Sequence, residues 1–316
     1  MRIAVPPLKC QGIKTHLVEW ILEHVSLSEG GTWIEPFMGS GVVGFNVRPP
    51  KAIFADTNLH IINLYNAIKS GQITPGIAKN FLEKEGTLLR EKGEAHYYEI
   101  RERFNQTGDA LDLLFLNRSS FNGVMRFNKS GKFNVPFGHK PERFAQAYVT
   151  KITNQIKQVS QALSLYDWQF ICADFRQTLA LATEKDLIYC DPPYIGRHTD
   201  YFNGWSEQDE QDLFDLLAKT KAKFIISTWH SNQYRQNQAL EKYARNFVVF
   251  TREHFYHVGA REKNRNPMRE AIVLNYDPEP QQATIELNQL ALFEQKPEYH
   301  FRKTRPEHSE RVNSTE

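Results

Sequence analysis

Short apolar stretches rich in β-branched and aromatic residues alternate along the chain with stretches whose apolar residues recur at helical spacing. The first kind predicts buried strands and the second amphipathic helices. The predicted strands are Trp33–Glu35, Ile53–Ala55, Gln169–Ala173, Leu187–Cys190, Lys223–Thr228, Phe247–Phe250 and Glu270–Asn275. Because strands that alternate with helices form mostly parallel sheets covered by helices, this order predicts an α/β fold.

Two of the predicted helices have clear starting signals. After the second strand, residues 56–58 offer a capping side chain, and apolar residues from Ile61 to Ile68 follow at helical spacing before Gly71. Ser206 begins another helix, because acidic residues fill the first turn and an apolar stripe follows it. This rhythm predicts a Rossmann-like sheet with helices on both faces.

The alternation of predicted strands and helices stops for nearly a hundred residues, between 72 and 167. Helical spacing is evident there only around Ile77–Arg90 and Ala95–Phe104, and the later sequence FNGVMRFNKSGKFNVPFG predicts a hairpin. Since structureless loops of this length are uncommon in compact domains, we interpret 72–167 as an inserted domain. The predicted division is a main domain of residues 1–71 and 168–278, the insert 72–167, and a tail of residues 279–316. The polar composition predicts disorder in the tail from about residue 295.

Composition excludes several classes of protein. With 316 residues, 41% hydrophobic and 24% charged, the chain is neither wholly disordered nor fibrous. A net charge of +2 excludes a uniform polycation that coats nucleic acid. The segment Asn117–Lys151 nevertheless contains seven Lys and Arg against one acid, interleaved with aromatic residues. This pattern favours contact with DNA phosphates and bases; the alternative is a solvated loop over a small aromatic core.

Cysteine and histidine spacing argues against a metal site and disulfides. The three cysteines are scattered, which predicts reduced thiols. His254 and His257 lack an acid or cysteine at ligand spacing, so we interpret them as structural and expect no metal. No apolar run approaches the ~18 residues of a membrane span, and the N-terminal sequence lacks a signal-peptide pattern. We therefore expect a cytoplasmic protein without membrane contact.

A glycine-rich turn follows the first predicted strand. In the sequence WIEPFMGSGVVG, glycines allow positive φ and close approach of a ligand, and a helix predicted to begin at Val42 offers its N–H groups. The glycines satisfy GxGxxG, and Asp56 ends the next strand where it can bind ribose hydroxyls. The alternative is a tight turn with Asp56 as a helix cap.

A second motif, LIYCDPPY, brings an acid, two prolines and an aromatic residue to the carboxyl edge of the sheet. A carboxylate and a proline carbonyl are pure acceptors, so Asp191 and Pro192 can take the two N–H groups of an aromatic amine. This directs the nitrogen lone pair toward a methyl donor, and Tyr194 can stack on the base. The alternative is a Pro-Pro turn capped by Asp191.

These motifs together resemble the Dam-type, D12 class DNA adenine-N6 methyltransferases of the α group. The resemblance spans roughly residues 5 to 276 and is closest to EcoRV-type modification methyltransferases. It rests on PPLKCQGIKTHLVEWI, WIEPFMGSGVVGFNV, LNRSSFNGVMRFNKSGKFNVPF, CDPPYIGRHTDYFN and HFYHVGAREKNR. The order of cofactor loop, recognition insert and DPPY also matches.

The resemblance implies a function for individual residues. S-adenosylmethionine would be the cofactor, bound by Cys10, Lys14, Glu35, Phe37, Gly39, Gly41, Asp56, Asp174 and Asp191. The family usually has an aromatic residue where Cys10 stands, and a strand-end cap is an equal alternative for Asp174. Asp191, Pro192, Pro193 and Tyr194 would hold the target adenine, flipped out of the duplex.

The resemblance also implies double-stranded DNA as the partner. Lys9 would read the first guanine of the site, and Asn122, Val124, Arg126, Lys132 and Lys140 would contact DNA. The implied role is protective methylation in a restriction-modification system of a prokaryotic cell or its phage, at a GAT-initiated site such as GATATC. A cognate endonuclease would act on the same site without a stable complex.

Three alternatives remain open at this point. GxGxxG alone is compatible with a nicotinamide-dependent dehydrogenase, although this leaves DPPY and the basic insert unexplained. A non-catalytic DNA-binding regulator would keep the same fold. DPPY alone also fits RNA adenine or cytosine-N4 methylation, because it selects an exocyclic amine more firmly than a base.

Overall fold

The computed structural model describes residues 3–194, 204–231, 236–255 and 267–278. The strands are β1 (Trp33–Glu35), β2 (Lys51–Asp56), β3 (Asp167–Cys172), β4 (Leu187–Cys190), β5 (Lys223–Ser231), β6 (Val248–Phe255) and β7 (Pro267–Leu274). The helices are α1 (Val18–Leu22), α2 (Gly44–Val47), α3 (Leu59–Lys69), α4 (Pro75–Lys92), α5 (Glu94–Thr107), α6 (Ala110–Ser119), α7 (Gln146–Leu165), α8 (Phe175–Leu179), α9 (Glu207–Lys219) and α10 (Gln238–Tyr243). Short 3-10 turns span Phe121–Gly123 and Pro141–Phe144.

The strands form one sheet in the order β3-β2-β1-β4-β5-β7-β6. Strands β1 to β5 are parallel, and β7 lies antiparallel between β5 and β6. The chain order reverses between β1 and β4, the position where open α/β sheets bind ligands. The predicted Rossmann-like fold is therefore confirmed, and every predicted strand overlaps an observed one.

Both faces of the sheet are buried. Successive residues of a strand point to opposite sides, so Trp33 packs into one apolar cluster and Ile34 into the other. The first cluster includes α1, α3 and the helices between residues 75 and 165, and the second includes α8, α9 and α10. Every residue of the central strands β1 and β4 is buried, which explains why their sequences are mostly apolar.

The segment 72–167 contains more helix than the sequence predicted. Helix α7 was missed because its surface is rich in Gln, Thr and Lys, although Val149, Ile152, Ile156 and Val159 form a buried stripe. The predicted hairpin is present but irregular: isolated antiparallel bridges pair Phe127 with Phe133 and Ser120 with Phe137. The Asn128 side chain accepts the N–H groups of Ser130 and Lys132, so side-chain bonds replace a regular ladder.

The described residues up to 278 form one compact unit. The division into a main domain and an insert at residues 72 and 167 stays a prediction. The predicted tail, 279–316, lies outside the described residues, as does His257. None of the described helices is long and apolar enough to cross a membrane.

Candidate active site

The loop after β1 is fixed to the end of β2 by backbone hydrogen bonds. The Met38 N–H donates to the Ala55 carbonyl over 2.8 Å, and the Gly39 N–H donates to Asp56 Oδ2 over 2.9 Å. Gly39 and Gly41 have φ values of +50° and +70°, which L side chains rarely adopt. The tight turn that results delays the following helix, which begins at Gly44 rather than at the predicted Val42.

The last glycine of the GxGxxG pattern is required by packing. A Cβ atom on Gly44 would lie 2.3 Å from Phe54 Cε1 and 2.6 Å from Glu35 Oε2. Helix α2 therefore approaches β1 and β2 more closely than a side chain permits. Glu35 itself is 2% exposed and accepts the Trp33 indole N–H over 2.8 Å. Burial raises the pKa of Glu35 to about 8, so this carboxyl is mostly protonated at neutral pH.

Asp56 does not cap helix α3; that cap is Asn58, whose side chain accepts the His60 N–H. Asp56 instead lines the cleft, with Oδ2 bound to the Gly39 N–H and Oδ1 bound to the Asn58 N–H over 2.8 Å. Burial raises its pKa despite these two bonds. Because each carboxylate oxygen can accept twice, Asp56 retains acceptor capacity for a ligand hydroxyl.

Asp191 follows β4 and is paired with a lysine from the N-terminal segment. Lys14 is 4% exposed, and its Nζ atom lies 3.1 Å from Asp191 Oδ1. Burial raises the pKa of Asp191 to about 6, while Lys14 acts in the opposite direction. Asp191 is therefore largely ionised at neutral pH and keeps the acceptor character that the motif predicted.

Tyr194 is connected to the same lysine. The Lys14 Nζ donates to the Tyr194 hydroxyl over 2.7 Å, and that hydroxyl donates to Glu270 Oε2 over 3.3 Å. The ends of β4 and β7 and the N-terminal segment thus meet at one point. Glu270 was not singled out in the sequence, because an isolated acid at the start of an apolar strand carries no motif.

One cleft at the carboxyl edge of the sheet collects most of the predicted cofactor and target-base residues. Its lining includes Cys10, Lys14, Glu35, Phe37, Gly39, Asp56, Asp174, Asp191 and Pro193. Gly41, Pro192 and Tyr194 lie beside it in the chain without lining it. The cleft occupies the position between β1 and β4 where the strand order reverses, as the fold predicts.

An aromatic group that sequence reasoning missed lines the same cleft. The rings of Phe37, Phe175 and Trp205 are each about 5.5 Å from the other two. The Trp205 indole N–H is buried and has no hydrogen-bond partner among the described residues. An aromatic wall with one unsatisfied donor suits a planar heteroaromatic ligand. Phe175 and Trp205 carried no local motif, although Phe175 follows Asp174 directly.

Asp174 caps the N-terminus of helix α8, which was one of the two alternatives for this residue. Its Oδ1 accepts the Arg176 N–H over 2.9 Å, and Gln177 completes a capping box at the start of α8. Asp174 also lines the cleft, so its predicted contact with a cofactor adenine is sterically available. That contact stays a prediction.

The structure brings Lys9 to the start of the predicted DNA-binding segment. Asn117 accepts the Lys9 N–H and donates to the Lys9 carbonyl, each over 2.8 Å. Gly123 approaches the Lys9 stem so closely that a Cβ atom there would lie 2.8 Å from Lys9 Cδ. Asn122 is exposed with φ of +53°, beside Phe121, which is 51% exposed. The turn therefore combines an exposed ring at Phe121 with close packing against Lys9.

The remaining predicted DNA contacts differ in exposure. Lys132 and Lys140 are exposed, whereas Val124 and Arg126 are half-buried. The Arg126 Nε donates to Asn134 Oδ1 over 2.8 Å, so its guanidinium also braces the loop. Of the aromatic residues in this segment, Phe127, Phe133, Phe137 and Phe144 are core residues.

A cluster of cations that the sequence did not reveal surrounds Tyr148. The Arg118 Nη1 donates to the Tyr148 hydroxyl over 3.2 Å, and the Arg143 guanidinium lies 4.9 Å from the ring centroid. Lys9 also approaches this hydroxyl, and burial lowers the pKa of Lys9. Arg118, Arg143 and Lys9 lower the pKa of Tyr148, although burial acts against them. The described residues place no carboxylate in an ion pair with these three cations.

The described residues contain no group of three His, Cys, Asp or Glu side chains arranged to hold a metal ion. The expectation of a metal-free site stays a prediction.

Comparison with known proteins shows which family and which relatives the chain resembles. A family model described as D12 class N6 adenine-specific DNA methyltransferase matches residues 11–264. A DNA adenine methylase from Vibrio cholerae is 35% identical over 71% of this chain and 80% of its own length. The retron Ec67 DNA adenine methylase from Escherichia coli is 33% identical over 66% of this chain and 71% of its own length.

A further relative is named as a type II methyltransferase. The type II methyltransferase M.FokI from Planomicrobium okeanokoites is 28% identical over 78% of this chain, which corresponds to 39% of its own length. The particular closeness to EcoRV-type enzymes stays a prediction.

Proposed function

The chain belongs to the D12 class of N6 adenine-specific DNA methyltransferases, and on this basis we propose that it transfers a methyl group from S-adenosylmethionine to a flipped adenine in double-stranded DNA. The observation that carries the proposal is the meeting of the Gly39 loop, Lys14 and Asp191 in one cleft. A dehydrogenase would leave this lysine–acid pair and the basic segment unexplained.

The residues of the cleft fit an adenosyl cofactor. Asp56 offers unused acceptor capacity for ribose hydroxyls, and the Phe37, Phe175 and Trp205 rings offer aromatic contacts for adenine. The buried Trp205 N–H supplies a donor without a partner among the described residues. Glu35 and the backbone at Gly39 and Gly41 would complete the cofactor side, together with Cys10, Lys14 and Asp174. When bound, S-adenosylmethionine supplies an activated methyl group on a positively charged sulfur.

Asp191 and the Pro192 carbonyl would hold the target amino group. Both are acceptors, and an ionised Asp191 can take one N–H of the amine while the carbonyl takes the other. Lys14 fixes the orientation of the carboxylate through Asp191 Oδ1. The chain's contribution to the reaction is therefore orientation of the amine, with Pro193 rigidifying the turn and Tyr194 stacking on the base.

The target amine is paired inside the duplex, so the base must leave the stack before it can reach Asp191. The turn at Phe121–Gly123 and the adjacent cations would bind and open the DNA. In this proposal Lys9, Asn122, Val124 and Arg126 approach the bases, and Lys132 and Lys140 contact phosphates. A lysine ammonium is a suitable donor to the guanine O6 and N7 acceptors, which supports Lys9 as the reader of the first guanine.

We further propose a GAT-initiated recognition site such as GATATC, with the adenine after the first guanine modified. This finer part rests on the motif resemblance to EcoRV-type enzymes. The corresponding role is protection of DNA in the cytoplasm of a prokaryotic cell or its phage from a cognate restriction endonuclease.

Methylation-sensitive sequencing tests the proposal most directly. The chain and its Asp191→Asn variant would be expressed in a bacterial host that lacks its own adenine methylation, and genomic DNA would be sequenced by a method that detects N6-methyladenine. We expect modification at one GAT-initiated motif with the wild type and none with the variant. Absence of N6-methyladenine would contradict the function, whereas a different motif would contradict only the proposed site.

A further inference from the structure

Glu270 is a buried acid that its strand does not require. It lies in β7 opposite Trp229 of β5 and Arg252 of β6, and it is 0% exposed. The residues that follow it, Ala271–Leu274, are apolar and equally buried. Burial of a carboxylate among such residues is strongly unfavourable unless polar or charged partners compensate for it. The partners of Glu270 therefore indicate why an acid occupies this position.

One of those partners is Tyr194, which lies beside the active-site cleft. Because β7 is antiparallel to β5, its first residues lie at the edge where the parallel strands have their carboxyl ends. Glu270 Oε2 accepts the Tyr194 hydroxyl over 3.3 Å, and that hydroxyl accepts from Lys14 Nζ over 2.7 Å. The same Nζ atom lies 3.1 Å from Asp191 Oδ1. A continuous chain of polar contacts thus runs from Glu270 to Asp191.

We propose that Glu270 is a positioning residue for the target base. By accepting the Tyr194 hydroxyl it holds the ring that stacks on the adenine, and its negative charge shares the Lys14 ammonium with Asp191. Glu270 touches neither the base nor the cofactor in this arrangement and acts on them through Tyr194 and Lys14. The inference rests on the proposed function, because it assigns Tyr194 and Asp191 to the target adenine.

The electrostatics of Asp191 are consistent with this role. The titratable groups that face Asp191 are Lys14 from the N-terminal segment, Glu35 from β1, Tyr189 and Cys190 from β4, and Glu270 from β7. Burial raises the pKa of Asp191 to about 6, Lys14 lowers it and Glu270 raises it. Removal of the Glu270 charge should therefore lower the pKa of Asp191, and the acid limb of the pH–rate profile should move to lower pH.

The test compares Glu270→Gln with Tyr194→Phe and with the double variant. Glutamine preserves the size of the side chain and removes its charge, whereas Phe removes only the hydroxyl that links Tyr194 to Glu270 and Lys14. Glu85→Gln is the matched control, because Glu85 is also nearly fully buried, at 3% exposure, and does not line the cleft. Glu85 contacts His96 and Arg103 instead.

Three measurements are made on each variant. Single-turnover methyl transfer to duplex DNA is followed between about pH 5 and pH 8. Fluorescence of 2-aminopurine at the target position reports the stacking of the extruded base, and titration with S-adenosylhomocysteine reports the cofactor side. Thermal unfolding at neutral pH reports whether each variant is folded.

We expect Glu270→Gln to slow transfer by about 10- to 100-fold, since small misplacements of a reacting group have effects of this size. Its acid limb should move to lower pH, its 2-aminopurine signal should be brighter, and its S-adenosylhomocysteine affinity should be unchanged. The double variant should transfer no more slowly than Tyr194→Phe, because both changes interrupt one chain of contacts. Glu85→Gln should show none of these effects.

A wild-type rate and an unmoved acid limb in Glu270→Gln would overturn the inference. If Glu270→Gln does not fold, Tyr194→Phe decides: a brighter 2-aminopurine signal supports the inference and a wild-type signal overturns it. Failure of the proposed function can be distinguished from failure of this inference, because the wild-type chain would then fail to methylate adenine in any duplex.

Discussion

The Lys14 ammonium lies 3.1 Å from Asp191 Oδ1 although the N-terminal segment and the end of β4 are far apart in the chain. The lysine is almost fully buried, so the pair is shielded from solvent and its attraction is stronger than that of a surface ion pair. The pair joins the predicted cofactor side of the cleft to the predicted target-base side. Its two members therefore provide the sharpest tests of the active site.

Replacement of Asp191 by Asn should reduce methyl transfer by about 100-fold or more, because the amide replaces one acceptor oxygen with a donor. The rate of the wild type should fall as the pH drops through about 6, because Asp191, whose pKa is raised to about 6, then becomes protonated and loses its acceptor character. Incorporation of labelled methyl groups into duplex DNA under single-turnover conditions measures both effects. Asp215→Asn makes the same change at an exposed position of α9 and should leave transfer intact. Normal transfer by Asp191→Asn would refute the assigned role.

Replacement of Glu35 by Gln should change the pH dependence of stability. Burial raises the pKa of Glu35 from 4.5 to about 8, so its protonated form is favoured in the folded state. The stability that this provides is complete below about pH 4.5 and is lost as the pH rises through about 8, by roughly 1.4 kcal/mol per pH unit at most.

Glu35→Gln removes this titration. The free energy of unfolding of the variant minus that of the wild type should therefore be larger at pH 8 than at pH 5. Denaturant unfolding at both pH values measures the difference. An equal difference at the two pH values would contradict the raised pKa.

Replacement of Gly44 by Ala should destabilise the fold by about 1 to 3 kcal/mol, the usual cost of overpacking. The added Cβ would collide with the Phe54 ring and the Glu35 carboxyl, neither of which is at the end of a freely moving side chain. Gly76→Ala in the first turn of α4 is the control, since its Cβ would meet only Thr74 Oγ1 at 3.9 Å. That change should be neutral or slightly stabilising, because alanine favours helix. Chemical unfolding curves compare the two variants, and equal stabilities would exclude the close helix–sheet contact.

Replacement of Lys132 by Glu should weaken DNA binding and reduce the slope of log affinity against log salt by about 1, since one phosphate contact is lost. Affinity for S-adenosylhomocysteine should not change, because Lys132 does not line the cleft. Lys221→Glu makes the same charge change at an exposed position just before β5, at the opposite edge of the sheet. Fluorescence anisotropy with a labelled duplex at several salt concentrations measures the slopes. Equal slopes for both variants would argue against a DNA-binding surface around Lys132.

Local pattern was sufficient for the strands and for the helix that begins at Ser206. The central strands β1 and β4 are buried on both faces, so their sequences are mostly apolar, and the Ser206 cap pairs with Asp209 within a single turn. Local pattern was insufficient for α7, whose buried stripe is narrow. There, contacts with the rest of the fold decide the conformation.

By itself, the sequence determined the order of the chemical motifs: a glycine turn after the first strand, Asp56 after the second, a basic aromatic segment, and the acid–proline motif at Asp191. Each motif occupies a few consecutive residues, so chain order alone preserves it. Only the tertiary structure decided that Lys14 and Glu270 converge on Asp191 and Tyr194, and that Trp205 faces Phe37. Burial and charge at those positions come from neighbours distant in the chain, and the pKa of Asp191 depends on those neighbours.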